Sequence, residues 1–219
     1  MDYTRQRDLV PIEKLKATHV NLVGAGGIGS PAAIALAKMG IGHLSIWDDD
    51  RVEAVNLPNQ FHTIASIDMP KVESVRKLIH EFSSSIEVVT YMERIVPQTI
   101  RILEGILVAA VDSMESRRNI WGQIQISPRI NFFVDARLGG ELLRLYALNP
   151  HDTAAGEAYE ATLYSDEESL ELPCTARSII YTGLIAGGLI THAVKKFIAG
   201  EETVFEVVLD LTSFTLLIR

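Results

Sequence analysis

The stretch from Val20 to Asp50 reads VNLVGAGGIGSPAAIALAKMGIGHLSIWDDD. Its apolar run Val20–Val23 predicts a buried strand, and glycines in G-x-G-x-x-G spacing follow at once. A small-residue helix over Ala32–Met39 and a second apolar strand over His43–Trp47 come next, and three aspartates end the stretch. This order of strand, glycine turn, helix, strand and acid predicts a β-α-β unit from which the rest of the fold grows.

Each part of this unit suits a nucleotide. Gly24, Gly26 and Gly29 allow a tight turn and a close approach of a phosphate to the backbone. The helix that follows presents free N–H groups and a positive dipole end to an anion. Asp48 lies 24 residues after Gly24, where an acid accepts the ribose hydroxyls. The unit predicts a nucleotide site without saying which nucleotide, and the alternative is a tight turn that binds no ligand.

The length of 219 residues allows one globular α/β domain over residues 1–219. The chain is 47% hydrophobic and 22% charged, which is ordinary for a soluble protein. Its net charge of -8 argues against a nucleic-acid partner. A single cysteine rules out a disulfide framework and a four-cysteine zinc site. The N-terminus has no apolar signal core, and the longest apolar stretch, Ile179–Ile190, is shorter than the roughly 20 residues that a bilayer requires. We therefore expect a cytoplasmic protein with no membrane partner.

The rest of the chain alternates helix and strand patterns. Helices are predicted over 12–17, 71–82, 98–103, 113–126 and 178–199, and strands over 86–91, 105–111, 132–134, 141–148, 205–209 and 214–218. This order predicts a Rossmann-like, doubly wound, mostly parallel sheet with antiparallel strands toward the C-terminus. Residues 1–19 are predicted to form a polar N-terminal arm. The acidic residues 150–173 are predicted to form an exposed, mobile crossover loop that is part helix.

Two acids follow predicted strands directly. Asp48 comes after the strand that ends at Trp47, and Asp112 comes after the strand that ends at Val111. Ligands of open parallel sheets bind beyond the carboxyl ends of the strands, so both acids are expected to face one crevice. Taken alone, Asp48 also fits a solvated strand end, and Asp112 also fits a cap of the helix that follows.

Four signatures resemble those of the ubiquitin-activating-enzyme-like adenylyltransferases of the ThiF/MoeB/HesA type. They are GAGGIGS at 24–30, DDDRVEAVNLPNQ at 48–60, PKVES at 70–74 and AAVDSMESR at 109–117. The glycine signature alone is shared with dehydrogenases, but its combination with Asn56-Leu57 and Pro70-Lys71 is specific. The resemblance implies a single ThiF-type adenylation domain that uses ATP and Mg²⁺. Its implied substrate is the C-terminal carboxylate of a ubiquitin-like or sulfur-carrier protein, usually ending in Gly-Gly, or of a peptide, and its implied state is a homodimer.

The resemblance also implies roles for individual residues. Asp48 would bind the ribose, Lys71 the phosphates and Asp112 the Mg²⁺, while Asn56 would lie against the phosphates. Arg5 matches an arginine that the family donates across the dimer to the ATP of the other subunit. Without the resemblance, Lys71 would be interpreted as a helix-surface lysine and Arg5 as part of a disordered arm. The remaining implied ATP-site residues are Gly24, Gly26, Gly27, Gly29, Asp50, Asn59 and Gln60.

Two departures from the family pattern bear on the chemistry. The arginine of the family's N-L-x-R-Q motif, a phosphate contact, is Asn59 here, and a neutral amide cannot replace its charge. Arg137, which follows a predicted strand end at Asp135, is our hypothesis for the substitute cation. The paired C-x-x-C motifs of the family are absent, so we expect no structural zinc.

Cys174 is a candidate nucleophile. Pro173-Cys174-Thr175 resembles the cysteine-threonine pair of the ubiquitin-activating enzymes, which takes the activated acyl group as a thioester or persulfide. A predicted position at a helix N-terminus would lower the pKa of its thiol. The alternative is a small buried hydrophobe.

Two other functions stay open. Asn59 keeps a non-catalytic ThiF-like partner subunit of a heterodimer under consideration. An NAD-dependent oxidoreductase would explain the glycines and Asp48, but it would leave Asn56, Lys71 and Asp112 without a role.

Overall fold

The computed structural model of the chain describes residues 1–95, 103–164 and 179–219. The strands of this part are β1 His19–Val23, β2 His43–Trp47, β3 Glu87–Tyr91, β4 Gly105–Ala109, β5 Ile130–Gly139, β6 Leu142–Leu148, β7 Glu206–Asp210 and β8 Thr215–Ile218. They form one sheet in the order β3-β2-β1-β4-β5-β6-β7-β8. The first five in that order are parallel to one another, and each later pair is antiparallel. The predicted α/β class and its mostly parallel sheet are confirmed.

Helices cover both faces of the sheet. Those of the described residues are α1 Ile12–Lys16, α2 Gly29–Met39, α3 Lys71–Phe82, α4 Met114–Ile124, α5 Thr153–Glu160 and α6 Ile180–Ala199. On one face, the larger apolar core joins α1, α2, α3 and α6 to the strands. On the other, α4 and α5 contribute residues such as Trp121 and Tyr159 to a second, aromatic core. None of the helices in the described ranges combines the length and apolarity needed to cross a membrane.

Strand β5 is longer than the sequence predicted. The expected strand stopped at Val134, but β5 continues to Gly139 and pairs with β6 from Phe133 to Gly139. Asp135 and Arg137 therefore lie within the strand rather than after its end, which corrects the predicted position of Arg137. The physical reason is that the neighbouring antiparallel strand supplies hydrogen-bond partners for the β5 backbone, and the two charges find ion pairs.

The acidic crossover is also different from its prediction. Residues 150–173 were expected to form an exposed, mobile crossover that is part helix. The helix α5 is present, but it packs on the sheet with Tyr159 fully buried, so this part of the crossover is not simply exposed. An acidic composition did not prevent this, because the tyrosine and small residues of α5 share one helical face. Residues 165–173 and the predicted helix at 98–103, apart from its last residue, lie outside the described residues.

The N-terminal residues pack against the end of α2. Gln6 Nε2 donates a hydrogen bond to Met39 O at 3.1 Å, and Leu15 in α1 is fully buried. The ring of Tyr3 approaches Gly40, whose φ of +111° ends α2 in the left-handed region. Arg5 itself is exposed on this arm.

The long helix α6 crosses the glycine turn after β1 at very short distance. A Cβ atom on Gly183 would lie 2.2 Å from Gly27 O, and one on Gly187 would lie 2.9 Å from Ala32 N. Gly188, one position further along, has nothing within 4 Å. Because Gly183 and Gly187 have no side chain, the backbone of α6 packs directly against the glycine turn and the start of α2.

We predict that Gly183→Ala and Gly188→Ala change stability in opposite directions. Alanine at 183 would clash with a backbone carbonyl, and overpacking of this kind costs about 1–3 kcal/mol. Alanine at 188 meets open space and should stabilise the helix by about 0.5–1 kcal/mol. Denaturant unfolding of both variants measures the free energies, and equal effects would contradict the packing described for α6.

Candidate functional site

A cavity of about 1480 Å³ lies at the carboxyl ends of the parallel strands. Ligand pockets are typically about 300–1,000 Å³, so this cavity is larger than a typical pocket for one ligand. We divide it into two parts. The glycine arm is lined by Gly24, Gly26, Gly27, Asp48, Asp49, Asp50, Lys71, Arg94 and Asp112. The strand arm runs over β5, β6 and β7 and is lined by Arg137, Gly139, Leu142, Arg144, Tyr146, Phe205, Glu206 and Arg219.

The backbone of the glycine arm requires glycine at two positions. Gly24 has a φ of +99°, and a Cβ there would lie 2.4 Å from Ala110 O. A Cβ on Gly29 would lie 1.8 Å from Gly24 O. The turn is therefore folded tightly on itself and on the end of β4. Gly26, whose added Cβ would make only ordinary contacts, lines the cavity, so the turn presents a ligand with backbone free of side chains.

Residues after the aspartates brace this turn from behind. Ser30 Oγ donates to Gly26 O at 2.7 Å and accepts a hydrogen bond from Phe61 N at 2.9 Å. The amide of Gln60 lies beside Gly26, at 3.8 Å from a Cβ placed there. The signature at 48–60 thus leads directly into a segment that holds the glycine turn in shape.

His62 also supports the glycine turn, and its role was not predicted from the sequence. Its Nε2 lies 3.2 Å from Ala25 O and its Nδ1 lies 2.9 Å from Ser74 Oγ. Burial lowers the pKa of His62 to about 4, with a further lowering from the Lys71 cation, so the ring is neutral at pH 7. A carbonyl can only accept, so Nε2 carries the proton and Nδ1 accepts from the serine hydroxyl. Its position just after the 48–60 signature was the available signal.

Asp48 closes the turn from the side of β2. Its Oδ2 accepts a hydrogen bond from Ala25 N at 2.7 Å, and its Oδ1 accepts one from Asp50 N at 2.8 Å. Burial raises the pKa of Asp48, and these backbone donors oppose that rise. The carboxylate is half-buried and held in one orientation, which corrects the interpretation of a solvated strand end.

Lys71 is buried at the start of α3. It is 7% exposed, and its Nζ lies 2.7 Å from Asp50 Oδ2. The interpretation of a helix-surface lysine is therefore wrong. Asp49 pairs with Arg94 at 2.8 Å on the outer side, and carboxylate oxygens of Asp48, Asp49 and Asp50 lie within 4.8 Å of one another. Asp112 lines the same cavity but is not part of this close group. All four carboxylates offer oxygen ligands, the kind that Mg²⁺ prefers.

Asp112 lies in the turn between β4 and α4. Ser113, not Asp112, caps α4, because its Oγ accepts a hydrogen bond from Ser116 N at 3.1 Å. The capping interpretation of Asp112 is therefore wrong. Arg117 holds the turn on both sides of Asp112 by donating to Val111 O at 2.5 Å and to Ser113 O at 3.3 Å.

A buried ion network lies beneath both arms. Asp135 is fully buried and accepts hydrogen bonds from Arg117 Nε at 3.0 Å, Arg137 Nε at 2.7 Å and Tyr159 OH at 3.0 Å. Burial alone would raise the pKa of Asp135, but the two guanidinium groups hold it below its ordinary value. The carboxylate is thus ionised, and it fixes the arginine that positions the Asp112 turn.

Arg137 reaches from the sheet to the residues after α5. Its Nη1 donates to Thr162 O at 2.9 Å and its Nη2 to Thr162 Oγ1 at 3.0 Å. The guanidinium also lies over the ring of Tyr146, 4.6 Å from its centroid. Arg137 lines the cavity, and its role as a substitute for the family arginine stays a prediction.

Five predicted residues of the described part do not line the cavity, and one of them is Gly29, which packs against Gly24 within the turn. Asn56 Oδ1 accepts a hydrogen bond from Glu53 N at 2.8 Å in a capping box. Arg5 is exposed on the N-terminal arm. Gln60 lies beside Gly26 without lining the cavity, and Asn59 is partly buried outside the cavity lining. Cys174 lies outside the described residues, so its role stays a prediction.

The family model of the ThiF family matches residues 4–216, and the chain belongs to this family. The adenylyltransferase and sulfurtransferase MOCS3 of Aedes aegypti is 44% identical over 108 residues, which are 48% of this chain and 25% of that protein. The adenylyltransferase and sulfurtransferase UBA4 of Saccharomyces cerevisiae strain YJM789 is 46% identical over 83 residues, 37% of this chain and 19% of that protein. The chain thus aligns with a quarter or less of the length of these relatives.

Solved structures share the fold at low identity. E. coli MccB with ATP superposes with a TM-score of 0.76 at 18% identity, covering 94% of this chain and 64% of that one. PaaA also gives a TM-score of 0.76, at 20% identity, covering 100% of this chain and 68% of that one. These likenesses show the fold alone.

We predict that His62→Gln removes a one-proton pH dependence of stability. The folded pKa of about 4 lies below the ordinary value of 6.5, so the stability that neutral His62 contributes is present above pH 6.5 and is lost as pH falls through 4. The slope of unfolding free energy against pH in that window should decrease by up to about 1.4 kcal/mol per unit. Denaturant unfolding between pH 4 and 7 measures it.

His80→Gln is the matched control, because His80 is exposed on the same helix that carries Ser74. It should keep the wild-type slope. A His62→Gln slope that equals that of the wild type would contradict the buried, neutral state assigned to this ring.

Proposed function

We propose that this chain is an ATP-dependent adenylyltransferase that activates the C-terminal carboxylate of a ubiquitin-like protein, a sulfur carrier or a peptide. The observation that carries the proposal is one cavity in which the glycine turn, Asp48, Lys71 and Asp112 meet a second arm long enough for an extended tail. Membership of the ThiF family and the names of the MOCS3 and UBA4 relatives support it.

The proposed reaction forms a mixed anhydride. A carboxylate oxygen of the tail bonds to the α-phosphorus of ATP, and the bond from that phosphorus to the oxygen bridging the α- and β-phosphates breaks. Pyrophosphate leaves with the electron pair, so no proton transfer is required in this step. The protein supplies position and charge, which suits a site with fixed backbone donors and buried ion pairs.

Each residue of the glycine arm has a task in this proposal. Backbone N–H groups of the turn bind phosphate oxygens, and Asp48, already oriented by two backbone donors, binds the ribose. The ion pair with Asp50 fixes the Lys71 side chain, so little side-chain entropy is lost when its ammonium group binds the phosphates. Asp112 would hold Mg²⁺ with help from the neighbouring aspartates, and the bound ion would neutralise phosphate charge as pyrophosphate departs.

Two further parts of the proposal concern arginines: Arg5 at the dimer partner's site, and Arg137 as the replacement for the family arginine that is Asn59 here. Arg5 is exposed and absent from the cavity of its own chain, which supports its donation to a partner site in a homodimer. Arg137 lines the cavity of its own chain, and we propose it as the substitute for the missing cation. A Gly-Gly tail on the substrate and a cytoplasmic location complete the proposal.

The first test is ATP–pyrophosphate exchange with purified protein, Mg²⁺ and a panel of carrier proteins ending in Gly-Gly. We expect exchange that depends on one carrier, and we expect Asp112→Asn to reduce it about 100-fold because a cation ligand is lost. Asp152→Asn is the matched control, since Asp152 caps α5 on the surface and asparagine caps equally well.

Other outcomes separate the alternatives. ATP binding without exchange with any carrier would favour a partner subunit that needs a second chain, as Asn59 suggests. NAD binding without ATP binding would overturn adenylation. Unchanged exchange in Arg137→Ala would remove Arg137 as the substitute cation, whatever its effect on stability.

We further predict a covalent step at Cys174. Attack of the thiolate on the acyl-adenylate carbonyl would form a thioester and release AMP. The chain has one cysteine, so any adduct with the carrier that dithiothreitol cleaves must form there. Cys174→Ala should keep exchange and lose the adduct on a non-reducing gel, and an adduct that persists in this variant would exclude the step.

A further inference from the structure

Two arginines lie side by side on adjacent strands in the strand arm. Arg137 on β5 and Arg144 on β6 are direct partners in the antiparallel ladder, and both line the cavity. Like charges in directly opposite positions destabilise a sheet. The repulsion between Arg137 and Arg144 must therefore be offset by a negative charge, either in the protein or on a bound ligand.

The neighbouring arginines have carboxylate partners, whereas Arg144 hydrogen-bonds to the neutral side chain of Tyr146. Arg137 shares the Asp135 carboxylate with Arg117. Arg219 Nη1 lies 3.3 Å from Glu206 Oε2, and Tyr146 OH donates to Glu206 Oε1 at 3.0 Å. Within the described residues, no carboxylate lies within ion-pair distance of Arg144.

We propose that Arg144 is a specificity-determining residue that binds a carboxylate side chain on the tail of the substrate. This inference rests on the proposed adenylation. A guanidinium presents its donors as a planar fork that matches a carboxylate at two points. Arg144 is exposed and also donates a hydrogen bond to the side chain of Tyr146. A guanidinium has five N–H donors, so donors remain for a ligand in the strand arm, and a bound carboxylate would neutralise the repulsion from Arg137.

The sheet geometry indicates which residue of the tail is read. Strand β6 lies two strands from β4, after which Asp112 follows, and two strand spacings are about 10 Å. An extended peptide advances about 3.3 Å per residue, so Arg144 lies about three residues from the reacting carboxylate. In a tail that ends in Gly-Gly, this is the residue just before the two glycines.

The same geometry argues against a phosphate of ATP as the ligand of Arg144. The glycine turn follows β1, and β1 is separated from β6 by three strand spacings, about 14 Å. Phosphates bound at the turn therefore lie well away from Arg144. The charge of this side chain is available to the second substrate.

The test uses one Gly-Gly-ending carrier that supports exchange, prepared with tails ending Glu-Gly-Gly, Gln-Gly-Gly and Lys-Gly-Gly. We expect the wild type to show a carrier KM at least about 10-fold lower for the Glu tail than for the Gln tail, with the Lys tail poorest. Arg144→Gln should abolish this order, and Arg144→Glu should favour the Lys tail. The KM for ATP should stay unchanged in both Arg144 variants. If Arg144 only supported the fold, its loss would be expected to alter the KM for ATP as well.

Arg129→Gln is the matched control, because Arg129 is an exposed arginine that does not line the cavity, and it should keep the wild-type order. If no carrier supports exchange, the adenylation proposal fails, and binding of ten-residue peptides with the three tails, measured by fluorescence anisotropy, decides the inference. Retention of a Glu preference in Arg144→Gln, or no preference in the wild type, would overturn it.

Discussion

The carboxylate of Asp135, buried between Arg117 and Arg137, is the interaction on which the rest of the site depends. Removing a charge from water is costly unless it is paired and hydrogen-bonded, and here two guanidinium groups and the hydroxyl of Tyr159 satisfy it. Arg117 uses this anchor to hold the turn that carries Asp112, while Arg137 uses it to hold Thr162 after α5. One buried anion thus sets the geometry of both arms of the cavity.

Charge divides the cavity along the sheet. The glycine arm carries four aspartates against two cations, whereas the strand arm carries three arginines against one glutamate. An acidic end accommodates a divalent cation and the nucleotide bound through it, and a basic end attracts a carboxylate tail. The proposed reaction requires these two substrates to meet at the boundary between the arms, where Asp112 and Arg137 lie.

Some residues of the site were open to prediction from sequence and others were not. Asp48, Lys71 and Asp112 were identified because each follows or begins an element in a recognisable signature. His62 was not, since its importance comes from contacts with Ala25 and Ser74, which lie 37 and 12 residues away. Arg144 was missed for the same reason, because only its place opposite Arg137 gives its charge a consequence.

The sequence by itself determined the β-α-β unit, the alternation of helices and strands, and the positions of the acids at strand ends. These features follow from local chemistry: apolar periodicity, glycine where φ is positive, and strand length. Only the tertiary structure decided the extension of β5 through Asp135 and Arg137, the burial of Lys71, and the packing of the acidic helix α5. Each of these depends on a partner that folding supplies: strand β6 for β5, Asp50 for Lys71, and Asp135 for Tyr159 of α5. A charge is buried only where folding brings an opposite charge to it.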